Sequence, residues 1–498
     1  MLKILNTSQI KELDDYTIRH EPIASIDLME RACHAFVSWF TRHVEVTKKV
    51  GVVCGTGNNG GDGLGIARLL NEWSYPVKVW IVRGTVPESP DFKINLQRLR
   101  GKMEILEIVT ESDQGLFEDR DVLIDAIFGS GLSRQAEGIY AQAIRCINNT
   151  KALRFSVDIP SGLMADKPSS GEIVMAHDTV TFQLPKLSFL LPETSAFVGD
   201  WHVVDIGLSK EFIERADTNY FLIEKSDIQR MLHPRSKFQH KGNFGHALLI
   251  TGSYGKLGAA ILSAHAAMRS GVGLLTVHVP KCGYEIIQTS VPEAMVSVDE
   301  SEFIFSSVPE TKNFNAIGIG PGIGQDKQTV RALTKLLETL TNPVVLDADA
   351  LNILGANREL LHLVPKGSIL TPHPKEFERM VGSWSTDFER LEIQMEFSRK
   401  TNTVVLLKGA HTSIATPEGK VYFNNTGNPG MATGGSGDVL TGLITGLLAQ
   451  GYSSSDSALL GAWIHGLAGD QSANALSEHA LIASDIIDHI PAAFAVIR

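Results

Sequence analysis

Short apolar runs rich in Val and Ile recur through the first half of the chain, most of them ending in Gly or Asp. They are "VGVVCG" from Val50, "VKVWIVRG" from Val77, "DVLIDAIFG" from Asp121, "RFSVDIPSG" from Arg154, "DTVTFQ" from Asp178 and "WHVVDIG" from Trp201. Between several of them the apolar positions fall at helical spacing, as with Leu28, Ala32, Phe36, Trp39 and Phe40. Strand and helix signals alternating in this way predict a parallel sheet covered by helices. After "DIGL" the chain turns polar and charged, from "SKEFIERADTNYFLIEK" to "HPRSKFQHKGNFG", which predicts a domain junction near residues 210–235. A second alternation follows. "HALLITGS", "GLLTVHVP", "AIGIGPG", "PVVLDADA", "GSILTPHP", "TVVLLKGA" and "TSIAT" read as strands, with helical runs over Leu257–Arg269 and Gln328–Leu340. The expectation is two α/β domains, residues 1–220 and 225–498, sharing no internal repeat.

A length of 498 residues suits two or three domains with sizeable cores. Net charge is −11, with no basic tail or lysine/arginine block, so neither nucleic acid nor an anionic membrane is an expected partner. Cys33, Cys54, Cys146 and Cys282 lie far apart, without metal or redox spacing. Unpaired cysteines in a long chain suit a reducing compartment. The opening "MLKILNTSQIKELDDYTI" has no signal-peptide core, and no apolar run reaches membrane-spanning length. The expected location is the cytoplasm.

"VGVVCGTGNNGGDGLGIARLL" carries the spacing G-x-G-x-x-G at Gly55, Gly57 and Gly60. A dinucleotide loop should be followed by an acid at the end of the next strand. Here that strand ends in Arg83 and Gly84. The loop also holds Asn58, Asn59 and Asp62, more polarity than a pyrophosphate cradle uses. Asp125 precedes a Gly129/Gly131 loop at another strand end, and Asp158 and Ser161 mark a third. Ligands of open α/β sheets bind outside the carboxyl ends of the strands, so these residues can share one crevice. Their amide, carboxylate and hydroxyl oxygens suit a hard cation, although Asn and Asp also serve as ordinary caps and turn formers.

The densest motif is "NNTGNPGMATGGSGDVLTGLITGLLAQ", residues 424–450. Backbone N–H groups of a glycine loop at a helix start form an anion site, and Asp438 sits there, placed to take a proton from a hydroxyl undergoing phosphorylation. Gly258, Ala259 and Ala260 at a helix start allow close ligand approach. "GIGPGIG" is a further tight loop, His373 lies between two prolines, and Lys408 ends a strand.

"GTGNNGGDG", "DAIFGSGL" and "VDIPSG" resemble the N-terminal epimerase domain of the NAD(P)H-hydrate repair proteins. The likeness covers residues 1–215 and implies a Rossmann-like three-layer domain. By this resemblance Asn58, Asn59, Gly60, Gly61 and Asp62 contact a hydrated nicotinamide cofactor. Asn59, Asp125 and Ser161 hold a potassium ion. Gly129, Ser130, Gly131, Leu132, Ser133, Arg134 and Gln135 contact the ligand, as does Asp158, a candidate for assisting proton movement. "GPGIG", "TPHPKEF", "LLKGA" and "NPGMATGGSGDVLTG" resemble the ADP- or ATP-dependent NAD(P)H-hydrate dehydratase domain, of ribokinase-like α/β fold, over residues 225–498. The resemblance implies that Gly258, Ala259, Gly322, His373 and Asp438 line the hydrate site. It places the nucleotide on Lys408, Gly409, Ala410, His411 and Thr412, and on Asn428, Gly434, Gly435, Ser436 and Gly437. Magnesium would accompany ADP or ATP, and the family suggests a homo-oligomer. The implied activity is metabolite repair in two steps, epimerisation of R and S hydrates and nucleotide-driven dehydration of the S form. Two alternatives stay open at this level: a ribokinase-like kinase of a vitamin precursor or sugar with an appended domain, and a first domain that binds without catalysing.

Overall fold

A computed structural model describes residues 1–111 and 115–498. The chain divides into one compact unit of Lys3–Thr218 with Thr386–Phe388, and another of Met1–Leu2, Asn219–Ser385 and Glu389–Arg498. Strands are numbered along the chain from β1 (Leu2–Lys3), which belongs to the second of two sheets.

The first sheet holds β2 (Val50–Cys54), β3 (Val77–Val82), β4 (Ile105–Ile108), β5 (Val122–Ala126), β6 (Leu153–Val157), β7 (Asp178–Phe182) and β8 (Asp200–Val204). Their spatial order is β4-β3-β2-β5-β6-β7-β8, every pair parallel. Every residue of β2 and β5 is buried, because helices cover both faces. Phe36, Phe40, Leu64 and Phe92 pack one face, and Trp80, Phe117, Tyr140 and Ile144 the other. These make the three layers that the sequence predicts.

The second sheet adds β9 (Tyr220–Leu222), β10 (His246–Ile250), β11 (Leu274–Val279), β12 (Met295–Val298), β13 (Ala316–Ile319), β14 (Val344–Leu346), β15 (Ile369–Leu370), β16 (Val404–Leu407), β17 (Ser413–Ala415) and β18 (Val421–Phe423). Its order is β1-β9-β18-β17-β16-β15-β14-β13-β10-β11-β12. It is parallel from β12 to β16, while β17 pairs antiparallel with both β16 and β18.

One local reading changes. "PVVLDADA" is a strand only to Leu346: Asp347 is the residue before a helix over Ala348–Ala356. The polar stretch near 210–235 holds β9 and short helices at Lys210–Arg215 and Lys225–Met231. Their amphipathic segments are too short to stand out by periodicity.

The helix Ser436–Ala449 is buried along nearly its whole length. Glycine lets it lie against the helix Leu257–Arg269: a Cβ on Gly442 would stand 2.0 Å from the Ser263 carbonyl oxygen. Strand order reverses at β2 in the first sheet; in the second it reverses at β10, among parallel strands, and again at β18. In open sheets ligands gather outside the carboxyl ends at such reversals. Among the described residues no helix is long and apolar enough to cross a membrane.

Candidate active sites

In the first unit, a cavity of about 1680 Å³ opens at the carboxyl ends of the strands around the reversal. Asn58, Asn59 and Asp62 line it, as does every residue from Gly129 to Gln135, together with Asp158. The helix Asn58–Glu72 starts directly after β2, and Gly60 sets how closely: a Cβ there would lie 1.9 Å from the Gly55 carbonyl oxygen. Gly60 and Gly61 are buried in this packing, with Gly61 against Met29.

Asn59, Asp125 and Ser161 come together around the backbone of Phe128. Asn59 donates its side-chain amide to the Phe128 carbonyl at 2.8 Å. The Ser161 hydroxyl donates to Asp125 Oδ1 at 2.5 Å and accepts from the Phe128 amide at 2.8 Å. Asp125 Oδ2 also accepts from the Ser161 amide and the Ser156 hydroxyl. Burial pushes the Asp125 carboxyl up, against the pull of these hydrogen bonds.

Asp158 sits past the end of β6 with φ +66°, a left-handed conformation that a short polar side chain tolerates. Its Oδ1 accepts from Lys186 Nζ at 2.5 Å, from Thr181 Oγ1 at 3.2 Å and from the Phe182 amide at 3.2 Å. Burial alone would raise this carboxyl, but the charge and hydrogen bond of Lys186 hold it below the usual range. Lys186 is only 1% exposed, and its ammonium also reaches Thr181 Oγ1 and the Leu184 carbonyl. Asp14, from the helix Thr7–His20, faces the same cavity. Burial and the neighbouring Asp158 charge push it up to about 7. Burial and the charges of Asp158 and Asp14 raise Asp62 well above the ordinary carboxylate range. Sequence reasoning missed Asp14 and Lys186. "KELDDYTI" reads as a surface helix, and the lone lysine of "LPKLSF" shows no partner at short range.

In the second unit the candidates lie just past the ends of β10, β13, β14, β15 and β16 and at the start of the helix Ser436–Ala449. Gly435, at φ +92°, caps that helix, and Asp438 lies in its first turn. Beneath it, Lys408 Nζ donates to Asp347 Oδ1 at 2.9 Å and Thr441 Oγ1 to Asp347 Oδ2 at 2.6 Å. Burial would lower Lys408, but Asp347 and Glu376 keep it raised and charged. Burial and the Asp347 charge lift Asp438 to about 6, against the opposing pull of Lys408.

His373 caps the helix Pro374–Val381, its Nδ1 accepting from the amides of Lys375 and Glu376. That leaves the proton of the neutral ring on Nε2, and burial with the nearby Lys408 charge keeps the ring neutral. Ala259 and Gly322 are adjacent, and Ser253 Oγ donates to the Gly322 carbonyl at 2.7 Å. Asp349 accepts from Lys256 Nζ at 3.1 Å and from the Gly324 amide at 2.8 Å. A Cβ on Gly258, Gly409 or Gly434 would meet nothing within 4 Å, so these backbones face open space. Ala410 and Thr412 lie in the turn after β16, where Thr412 Oγ1 donates to the Gly409 carbonyl.

The other expected nucleotide residues are held from behind. Ser436 Oγ lies 3.3 Å from His465 Nε2, Asn428 donates to Asp470 at 3.0 Å, Gly437 stands beside Lys408, and the His411 ring is held near Asn424 and Asn425. The sequence reading singled out neither Asp347 nor Asp349, although "VVLDADA" has the strand-end acid that marked Asp125 and Asp158.

Residues 247–492 match the family described as NAD(P)H-hydrate dehydratase, and residues 25–188 the YjeF-related protein N-terminus. A bifunctional NAD(P)H-hydrate repair enzyme Nnr of Moorella thermoacetica is 36% identical over 98% of this chain and 96% of its own. Its Escherichia coli namesake is 32% identical over 87% and 83%. A crystal structure of the ADP/ATP-dependent NAD(P)H-hydrate dehydratase of Bacillus subtilis, co-crystallised with ATP/Mg2+, is 32% identical and covers 57% of this chain and 100% of its own, with a TM-score of 0.49. With one relative matched at 36% identity along nearly the whole of both chains, this protein belongs to the family of bifunctional NAD(P)H-hydrate repair enzymes.

Proposed function

We propose that the first unit interconverts the R and S hydrates of NADH and NADPH. The second unit returns the S hydrate to NADH or NADPH at the expense of ADP or ATP, releasing AMP or ADP and phosphate. The protein works in the cytoplasm, as a homo-oligomer, on small molecules alone. The observation that carries the reading is the placement of Asp438: a half-buried carboxylate at a glycine-capped helix start, flanked by a fixed lysine.

Hydroxide is a poor leaving group at neutral pH, which gives a dehydratase a use for phosphoryl transfer. Asp438 takes the proton of the substrate hydroxyl as its oxygen bonds to the terminal phosphorus of the nucleotide, and the bond from that phosphorus to its bridging oxygen breaks to release AMP or ADP. The carbon–oxygen bond then breaks, phosphate departs with the bonding pair, and the ring nitrogen lone pair restores conjugation as a proton leaves the neighbouring carbon. Backbone N–H groups from Gly434 to Gly437 and the Lys408 ammonium offset phosphate charge. Gly258, Ala259 and Gly322 leave room for the hydrate, and His373 offers an Nε2–H donor. Magnesium, bound with the nucleotide, would supply charge neutralisation on the phosphates.

In the first unit, potassium fits Asn59, Asp125 and Ser161: the donors are hard oxygens, joined by the Phe128 carbonyl, and among the described residues no cationic side chain bonds the buried Asp125. Bound there, the ion supplies positive charge beside the ligand. Asn58, Asp62 and the Gly129–Gln135 loop hold the hydrate, and Asp158 assists proton movement as the hydroxylated carbon inverts.

The test is chromatography of a mixture of R and S NADPH hydrates incubated with the protein and ADP, ATP or neither. Complete conversion to NADPH with either nucleotide, and epimer exchange without one, is expected. Nucleotide consumption driven by a sugar or vitamin precursor but not by the hydrate would replace this reading with that of a kinase.

A further inference from the structure

We infer that Asp14 is the second acid–base residue of the epimerase reaction, giving and taking the proton at the substrate hydroxyl while Asp158 serves the opposite face of the ring. The inference deepens the epimerase reading and rests on it. Inversion at a carbon bearing hydroxyl beside a ring nitrogen needs two groups. One protonates the leaving oxygen, so that the carbon–oxygen bond breaks to release water and the nitrogen lone pair forms a planar iminium. The other takes a proton from the water that then bonds to the opposite face, closing the balance with no redox partner. One carboxyl must start protonated and the other ionised.

The cavity supplies such a pair from two separate elements. Asp14 comes from the helix Thr7–His20, where Ile10, Asp14 and Ile18 share one stripe facing the cavity. Asp158 comes from the loop after β6. Lys186 bonds Asp158 and commits it to the ionised form. Asp14 is pushed up to about 7 by burial and by the Asp158 charge, so it exchanges its proton at working pH. The groups acting on it are Asp158 and Lys186 across the cavity and Asp15 on its own helix, while Asp62 senses Asp14 in turn. Lys11, Asp91, Arg134, Glu137, Asp166 and Lys167 complete the charged lining. Among the described residues no cation bonds the Asp62 carboxyl, and burial with the Asp158 and Asp14 charges raises it well above the ordinary carboxylate range, which suits a fixed donor to the ligand better than a group that cycles.

The full chain tests this by epimer exchange without nucleotide, followed by chromatography from pH 5 to 9, with hydrate affinity measured in parallel. Asp14→Asn should slow exchange roughly 10²- to 10⁴-fold with hydrate affinity held within a few-fold. The limb of the wild-type rate profile near pH 7 should vanish from what remains. Asp14→Glu should restore part of the rate and move the limb. Exchange within threefold of wild type in Asp14→Asn, or a slowed variant that keeps the wild-type limb, overturns the inference. If Asp14→Asn no longer binds hydrate, Asp14→Glu decides, and an unmoved limb in it also overturns the inference. Absence of exchange in the wild-type chain would instead defeat the epimerase reading itself.

Discussion

Lys408 donates to Asp347 at 2.9 Å directly beneath the first turn of the helix that carries Asp438, so one ammonium stands between two carboxylates. Asp347 is 1% exposed and has Thr441 as its other partner. Replacing Lys408 by Met should leave that buried charge without its cation and cost roughly 3 kcal/mol. Without the cation, Asp438 should bind its proton more tightly still. The expected outcome is a lower unfolding midpoint for the second unit and a dehydratase pH limb displaced upward. A variant with unchanged stability and an unmoved limb would mean the pair is idle.

Asp438→Asn should remove dehydration, by ~10² to 10⁴ in kcat, while epimerisation persists. In the wild type, activity should fall as pH drops through about 6, because the base is lost on protonation. The sign for stability is opposite to that of an ordinary paired carboxylate. A folded value raised above the unfolded one means that ionised Asp438 opposes folding at neutral pH. Asp438→Asn should therefore melt no lower than wild type at pH 7. Calorimetry beside a turnover assay checks both points, and normal turnover would remove Asp438 from the reaction.

What could be read in advance and what could not divide along a physical line. Asn59, Asp125 and Ser161 follow glycine loops or apolar strands, and strand ends at a reversal of order converge whatever the rest of the chain does. Asp438 was legible for the same reason, from its glycine-rich helix start. Asp14 and Lys186 carry no such local mark: their proximity to Asp158 arises only when a helix from residues 7–20 and a loop after β7 close over the sheet. Asp347 carries the strand-end mark, but its apolar run reads as continuing through "DADA", where the helix that follows Asp347 begins.

Potassium should govern the first activity alone. Replacing it with tetramethylammonium should slow epimer exchange and leave dehydration of pure S hydrate unchanged, provided the counter-ion is matched. Ser161→Ala should weaken the potassium dependence, because it removes a hydroxyl that both donates to Asp125 and accepts from the Phe128 amide. Epimer exchange equally fast in both salts would remove the ion from this site.

Gly60→Ala should damage the first unit by packing alone. The added Cβ would meet the Gly55 carbonyl oxygen at 1.9 Å, and a backbone atom cannot swing aside as a side-chain tip can. The helix start must then lift from β2, which displaces Asn59 from the Phe128 carbonyl. A loss of roughly 2 kcal/mol or more, within the range for overpacked sites, should appear as an earlier first unfolding transition and slower epimer exchange. Dehydration of pure S hydrate should survive. Wild-type melting would show that the close approach relaxes at no cost.

The two activities should complement each other between separate chains. Full-length Asp438→Asn keeps the epimerase residues, and full-length Asp158→Asn keeps the dehydratase residues. Given R and S hydrate with nucleotide, Asp438→Asn alone should equilibrate the epimers and consume no nucleotide. Asp158→Asn alone should clear the S form quickly and then stall at the rate of spontaneous epimer exchange. Mixing the two should restore fast, complete conversion, because each reaction is built wholly within its own compact unit and the hydrate is free to diffuse. Among the described residues the cavity at Asp158 is lined by residues between Asn6 and Leu208, and the Asp438 site draws its named residues from Ser253 onward. Chromatography of both epimers with parallel nucleotide assay follows every arm. If Asp158→Asn alone clears both epimers at one fast rate, Asp158 has no part in epimerisation. If the mixture stalls where the wild-type chain does not, the hydrate passes between sites on one chain, and independence of the two units is refuted.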